Sequence, residues 1–133
     1  LITSSAASDV YKRQQYCRPV SSEMEAITVM ELKALLDSAP DEIALVDVRN
    51  PAEAEVASIE GSHLVPLASL ESGEAIDRVR ALAEGRRLLV HCKLGGRSAR
   101  AVELLAQQGI AATNVTGGID AWSQQVDPAI PRY

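Results

Sequence analysis

The sequence predicts an α/β fold: a parallel sheet with helices on both faces. Three observations point there. Short, nearly uninterrupted apolar runs stand at 43–48 (Ile-Ala-Leu-Val-Asp-Val) and within 87–91 (Arg-Leu-Leu-Val-His), as expected of strands buried on both faces. Segments with helical spacing of apolar residues separate them. The alternation repeats along the chain, and a strand followed by a helix and another strand favours parallel pairing with right-handed crossovers.

Each element can be justified in order. Thr28-Val29-Met30-Glu31 fits a capping box, with hydroxyl and carboxylate each satisfying an orphan backbone donor, and opens a helix to about Asp37 with Leu32, Leu35 and Leu36 on its apolar face. Pro40-Asp41 ends that unit, and the strand at 43–48 follows. Asn50-Pro51 starts a short helix, because proline at the first helical position lacks only an N–H that would be unpaired anyway. His63 to Pro66 reads as another short strand, with His63 a partly exposed strand residue. Ser72 is expected to cap a helix carrying Ile76, Val79 and Leu82, closed by Gly85. After the strand at 87–91 come a glycine-bearing loop, a helix over about 98–108 stopped by Gly109, a weak strand at 112–115 and a last helix at 119–126.

The bulk numbers bound the function. One domain fits in 133 residues, and 47% apolar with 23% charged residues supports a packed core. A net charge of −5 without like-charge runs argues against a general nucleic-acid surface. Apolar runs of four or five residues are far short of the ~20 that span a bilayer. Only two cysteines, Cys17 and Cys92, occur, in unlike contexts, which favours a reducing cytoplasmic setting over a disulfide-stapled one. There is no Phe, and Trp122 and Tyr133 are the only aromatics after Tyr16, so the core must be built from Leu, Ile, Val and Ala. The sequence opens on Leu1, with its first methionine at Met24. Residues 1–14 show no helical period and no signal-peptide layout; they resemble translated adapter sequence, and are expected to be a non-native or disordered leader. Residues 15–25 read as a linker and 26–133 as the domain.

Chemistry concentrates at 88–99. A buried strand delivers Cys92 to the rim of the sheet, where open α/β sheets bind ligands. Gly95 and Gly96 allow positive φ, letting the loop curl its N–H groups toward one point backed by a helix N-terminus. A thiolate at that point has a depressed pKa, with Lys93 and Arg97 adding positive charge, and the thiolate is the nucleophilic form. A lone cysteine after a strand is ordinarily a small core residue; the glycine pair and the flanking Lys and Arg set this one apart. Cysteine-dependent phosphatases place an arginine six positions after the cysteine, whereas Arg97 lies five after Cys92. The tighter cradle suits one extra sulfur atom better than a phosphate.

Here the chain resembles the rhodanese family. Asp47-Val48-Arg49-Asn50-Pro51-Ala52-Glu53 is similar to its first motif, continued by Ile59-Glu60-Gly61-Ser62 through Pro66. Cys92-Lys93-Leu94-Gly95-Gly96-Arg97-Ser98 is similar to its active-site loop, and Gly117-Gly118-Ile119-Asp120-Ala121-Trp122 to its closing motif. Two departures stand out: Ala54 where an aromatic usually follows the Glu, and Ser58 where His is common, both read as packing changes at the edge of the site.

The resemblance implies a rhodanese-like parallel sheet and a sulfurtransferase in which Cys92 carries sulfur as a persulfide. Arg97 would assist catalysis. Lys93, Leu94, Gly95, Gly96 and Ser98 would form the substrate cradle, and Asp47 and Arg49 would orient the loop from behind unless they form a mere surface ion pair. Trp122 is expected to pack in the core, and no metal or organic cofactor is implied.

The ending at 126–133, the Ser72-Gly73-Glu74 turn and Gln15-Tyr16-Cys17 are similar to the C-terminal rhodanese domain of adenylyltransferase–sulfurtransferase fusions. That likeness implies a sulfur donor (thiosulfate or a protein persulfide), a ubiquitin-like sulfur-carrier protein as acceptor, and an adenylyltransferase domain upstream, of which Cys17 would be a remnant. The alternatives are a stand-alone thiosulfate or polysulfide sulfurtransferase, and a non-catalytic docking module of the same fold, which usually lacks the loop cysteine.

Overall fold

The computed structural model describes residues 25–133. The expected leader at 1–14, and the linker at 15–25 apart from Glu25, lie outside the described residues, as does Cys17. The elements run β1 (Ala26–Ile27), α1 (Val29–Ser38), a 3₁₀ turn (Pro40–Glu42), β2 (Ile43–Asp47), α2 (Pro51–Val56), β3 (His63–Leu64), α3 (Leu67–Glu71), α4 (Ile76–Ala83), β4 (Arg87–His91), α5 (Gly96–Gln107), β5 (Thr113–Val115) and α6 (Gly118–Gln125). Five parallel strands form one sheet in the order β1-β5-β4-β2-β3.

The continuous apolar runs are the two central strands, and their alternation supplies both faces. Ala44, Val46, Leu88 and Val90 join Leu70, Ile76, Val79, Ala101, Val102 and Leu105 in one core layer. Leu45 and Leu89 point the other way, into a layer with Val29, Leu32, Ile119 and Trp122. A side-chain period of two makes the same strand hydrophobic on both sides, so neither face can be left in water. Burial of each Leu or Val contributes about 1.5–3 kcal/mol.

Local capping signals place two of the helix starts. Thr28 and Glu31 form the expected reciprocal cap of α1 (Glu31 N to Thr28 Oγ1, 3.1 Å; Thr28 N to Glu31 Oε1, 2.9 Å). Asn50 and Glu53 cap α2 in the same way, with Pro51 at its first position. Ser72 is different: it closes the short helix α3, which the sequence did not suggest, and Ala75 precedes α4 instead. The edge strand β1 is also an addition, two residues paired with β5. Glu25 anchors it: its carbonyl accepts from Asn114 N (3.0 Å), and its carboxylate from Thr113 Oγ1 (2.7 Å).

Register sets up the site. Asp47 pairs with His91 across β2 and β4, and Val48 N donates to His91 O at 3.0 Å. The chain therefore leaves the two central strands side by side, β2 into Arg49 and α2, β4 into Cys92 and its loop.

Candidate active site

Cys92 directly follows β4, with only 1% of its surface exposed. Its Sγ accepts the Gly95 N–H at 3.0 Å and lies 3.4 Å from Ser98 Oγ. Gly95 makes this turn with φ of +125°, which an L side chain rarely adopts. Gly96 is already helical, so one glycine of the pair bends the loop and the other opens α5. Burial alone would push the Cys92 thiol up; hydrogen bonds from the Ser98 hydroxyl and from the N–H groups of Ser98, Gly95 and Leu94 outweigh it, and the pKa falls below the ordinary thiol value. The sequence pointed to the loop N–H groups, with Lys93 and Arg97 adding charge; the hydrogen bonds that lower the pKa come from the loop N–H groups and, in addition, from the Ser98 hydroxyl.

Ser98 is buried, and its single hydroxyl proton has three acceptors in reach: Asn114 Oδ1 at 2.6 Å, Gly95 O at 3.1 Å and Cys92 Sγ at 3.4 Å. Asn114, from the middle of β5, is a member of the site that no sequence motif indicated.

Arg97 lies on the first turn of α5 and turns its guanidinium onto α2. Its two terminal nitrogens donate to the two Glu53 carboxylate oxygens at 2.6 and 2.9 Å. The Arg97 hydrogen bonds hold the Glu53 carboxyl down at about 2, and Glu53 in turn raises Arg97. Tyr133 completes the group: its hydroxyl donates to Glu53 Oε2 at 2.8 Å and accepts from the Arg49 guanidinium at 2.8 Å. Lys93 Nζ stands 4.6 Å from the centre of the Tyr133 ring, a cation–π contact. Glu53 and Tyr133 appeared in the sequence only as letters of longer motifs; their contacts to Arg97 and Arg49 join residues 44 and 84 positions apart.

Asp47 and Arg49 are not a surface pair. Arg49 has no exposed surface; its guanidinium bonds Asp47 at 2.6 to 3.1 Å and the Ala57 carbonyl at 2.7 Å. By holding the end of α2 it sets where Glu53 stands, and through Glu53 where Arg97 stands. His91 is buried beside them, and burial lowers its pKa, disfavouring the charged form.

Leu94 is 64% exposed at the loop crest, His63 is exposed on β3, and Trp122 is packed in the core. Gly117-Gly118 has a mechanical reason. The φ of Gly118 is +55°, and a Cβ there would land on the carbonyl oxygens of Cys92 and Lys93. Without one, α6 packs its N-terminus against the loop, and Ile119 N and Asp120 N donate to those two carbonyls at 2.9 and 3.1 Å.

A buried cysteine whose sulfur accepts an amide N–H, at the carboxyl end of a central parallel strand and the N-terminus of a helix, has the arrangement that suits nucleophilic sulfur chemistry. Residues 28–125 match the model of the rhodanese-like domain, and the chain belongs to that family. It is 44% identical over 115 residues to a 16.5 kDa protein in the psaL 5′ region of Synechococcus elongatus, covering 84% of this chain and 77% of that one. It is 40% identical over 117 residues to adenylyltransferase and sulfurtransferase MOCS3-2 of maize, covering 86% of this chain but 24% of the maize protein. Among solved structures it resembles the human single-domain sulfurtransferase TSTD1, with a TM-score of 0.62 and 26% identity over 77% of this chain and 98% of that one. No helix among the described residues is long and apolar enough to cross a membrane.

Proposed function

We propose that this chain is a sulfurtransferase that carries sulfane sulfur on Cys92 and passes it to the adenylated C-terminus of a small sulfur-carrier protein, in molybdenum cofactor, thiamine or cysteine biosynthesis. The observation that carries the reading is the Cys92 sulfur itself, hydrogen-bonded by Gly95 N–H at 3.0 Å beside Ser98 at the start of α5. With thiosulfate as donor, the thiolate attacks the outer sulfur; the new S–S bond forms as the old one breaks, and sulfite leaves with the bonding pair. The product is an anionic persulfide, whose charge the same N–H groups stabilise as an oxyanion hole would.

Lys93, Leu94, Gly95, Gly96 and Ser98 form the cradle in this reading, and exposed Leu94 offers an apolar contact to a docking partner. Arg97 supplies charge as the donor arrives, and Asp47 with Arg49 fixes the scaffold behind it. The carrier acceptor is supported by the likeness to the maize protein, whose name joins an adenylyltransferase to a sulfurtransferase. An adenylated carboxylate is electrophilic, and a low-pKa persulfide is a strong nucleophile at neutral pH. The likeness to TSTD1 favours a second reading, a stand-alone sulfurtransferase acting between small molecules.

Intact mass spectrometry tests the central claim. Thiosulfate should add the mass of one sulfur atom, removable by a thiol reductant, and Cys92→Ser should stay folded and gain none. Sulfur loading by Cys92→Ser would end the proposal. Adding an adenylyltransferase, ATP and a carrier ending in Gly-Gly separates the two readings: carrier thiocarboxylate formed only with Cys92 present supports the first, and rapid thiosulfate-to-cyanide turnover with no thiocarboxylate supports the second.

A further inference from the structure

The sequence presents Arg97 as a free positive charge waiting for an anionic donor, but its fork is already filled. Both terminal nitrogens are spent on the two oxygens of Glu53, and that carboxylate is held from the other side by the Tyr133 hydroxyl. Arg49, the next cation, is bound to Asp47. On this side of the loop Arg49 and Arg97 are thus each matched by a carboxylate. Lys93 has no carboxylate within 4 Å among the described residues, and its ammonium rests over the Tyr133 ring.

We infer that Glu53 is a specificity-determining residue: by filling the Arg97 fork with an internal carboxylate, it disfavours small doubly charged sulfur donors and favours donors that bring less negative charge to the loop, such as the persulfide of a thiol. The inference rests on the sulfurtransferase reading and adds to it the donor class. The physical reason is competition. A dianion such as thiosulfate must displace Glu53 from a bidentate pair that is partly shielded from solvent, or approach while Glu53 still repels it. A thiol persulfide carries at most one negative charge on its sulfur, and attacked in its protonated form, RS–SH, it brings none. The Cys92 thiolate attacks its outer sulfur, the S–S bond of the donor breaks, the thiolate RS⁻ departs with the bonding pair, and Cys92 is left as S–SH, so one negative charge enters the step and one leaves it.

The test compares two reagents that attack the same sulfur and differ in charge. Rates of Cys92 alkylation by iodoacetate and by uncharged iodoacetamide are measured for the parent, Glu53→Gln and Glu53→Asp, each checked by melting. Gln can keep the α2 capping box, which accepts Glu or Gln at that position. A change in thiolate fraction or in loop packing moves both rates together and cancels in their ratio. Loss of the charge should raise the iodoacetate-to-iodoacetamide ratio by about three- to thirtyfold, the scale of one unit charge nearby in a partly solvated site. Glu53→Asp, which keeps the charge, should stay within about twofold of the parent.

In parallel, Glu53→Gln should lower the thiosulfate KM severalfold while changing that for the persulfide of an uncharged thiol, 2-mercaptoethanol, much less. A ratio that stays flat in folded Glu53→Gln, while sulfur still loads on Cys92, overturns the role of Glu53 alone. No loading from any donor ends the donor claim together with the sulfurtransferase reading. If Glu53→Gln yields no folded protein, Glu53→Ala read in the same way decides.

Discussion

Two arginine–carboxylate pairs stand within one helix of each other and have opposite characters. Asp47–Arg49 is sealed: neither side chain has more than 1% of its surface exposed, and Arg49 also bonds carbonyls at the end of α2. Glu53–Arg97 is open, with 19% and 35% of the side chains exposed, and lies beside the reactive sulfur. A sealed pair cannot be broken without stranding a charge away from water, so it fixes geometry. An open pair can be broken at a cost below that of a sealed one, because water replaces part of what is lost, so it can take part in a binding event and weigh on its outcome. The first motif of the sequence thus supplies a frame, Asp47 and Arg49, and at its far end a movable part, Glu53.

The largest effect should come from the sealed pair. Arg49→Met leaves Asp47 buried without its partner and should cost about 3–5 kcal/mol, read as a large drop in urea midpoint. A loss below about 1 kcal/mol would place Arg49 with the surface ion pairs and erase the contrast. Arg97→Ala should reverse the pattern: persulfide formation slowed by about ten- to a thousandfold, or ~1.5–4 kcal/mol in the barrier, with melting nearly unchanged. Sharp loss of stability with full turnover would make Arg97 part of the frame.

The smallest effect concerns pH. The folded protein holds the Cys92 thiol below its ordinary pKa, so iodoacetamide alkylation should rise with pH through a midpoint below that of a free cysteine. Ser98→Ala removes one donor to the thiolate and should move the midpoint upward, further than Arg97→Ala does, because the Arg97 charge is already matched by Glu53. A larger shift from Arg97→Ala would mean that Arg97 acts on the sulfur directly.

What could be read in the sequence was what is local. Leu88-Leu89-Val90 announced a strand buried on both sides, Thr28 with Glu31 announced a helix start, and the glycines after Cys92 announced a tight turn between strand and helix. The strand β1 was missed because two residues give no period, and α3 because five residues between Pro66 and Ser72 show too little amphipathic pattern. Glu53, Asn114 and Tyr133 were missed as working parts for a different reason. Each meets its partner only after the sheet has formed, and nothing in the letters around Tyr133 says that its hydroxyl will lie between Arg49 and Glu53.

The close seat of Gly118 against the loop also bears on how the protein is made. The carbonyls of Cys92 and Lys93 find their donors in Ile119 and Asp120, more than twenty residues downstream, once β5 has joined the sheet and α6 has folded back. Contacts this distant in sequence form late, since the chain between them must first lose its freedom. Until then the loop that turns the Gly95 N–H onto Cys92 Sγ lacks the two bonds that seat it against α6. On the proposed reading, a half-folded chain therefore holds its sulfur in a looser loop than the finished one, and a newly made molecule gains its full reactivity only on completion.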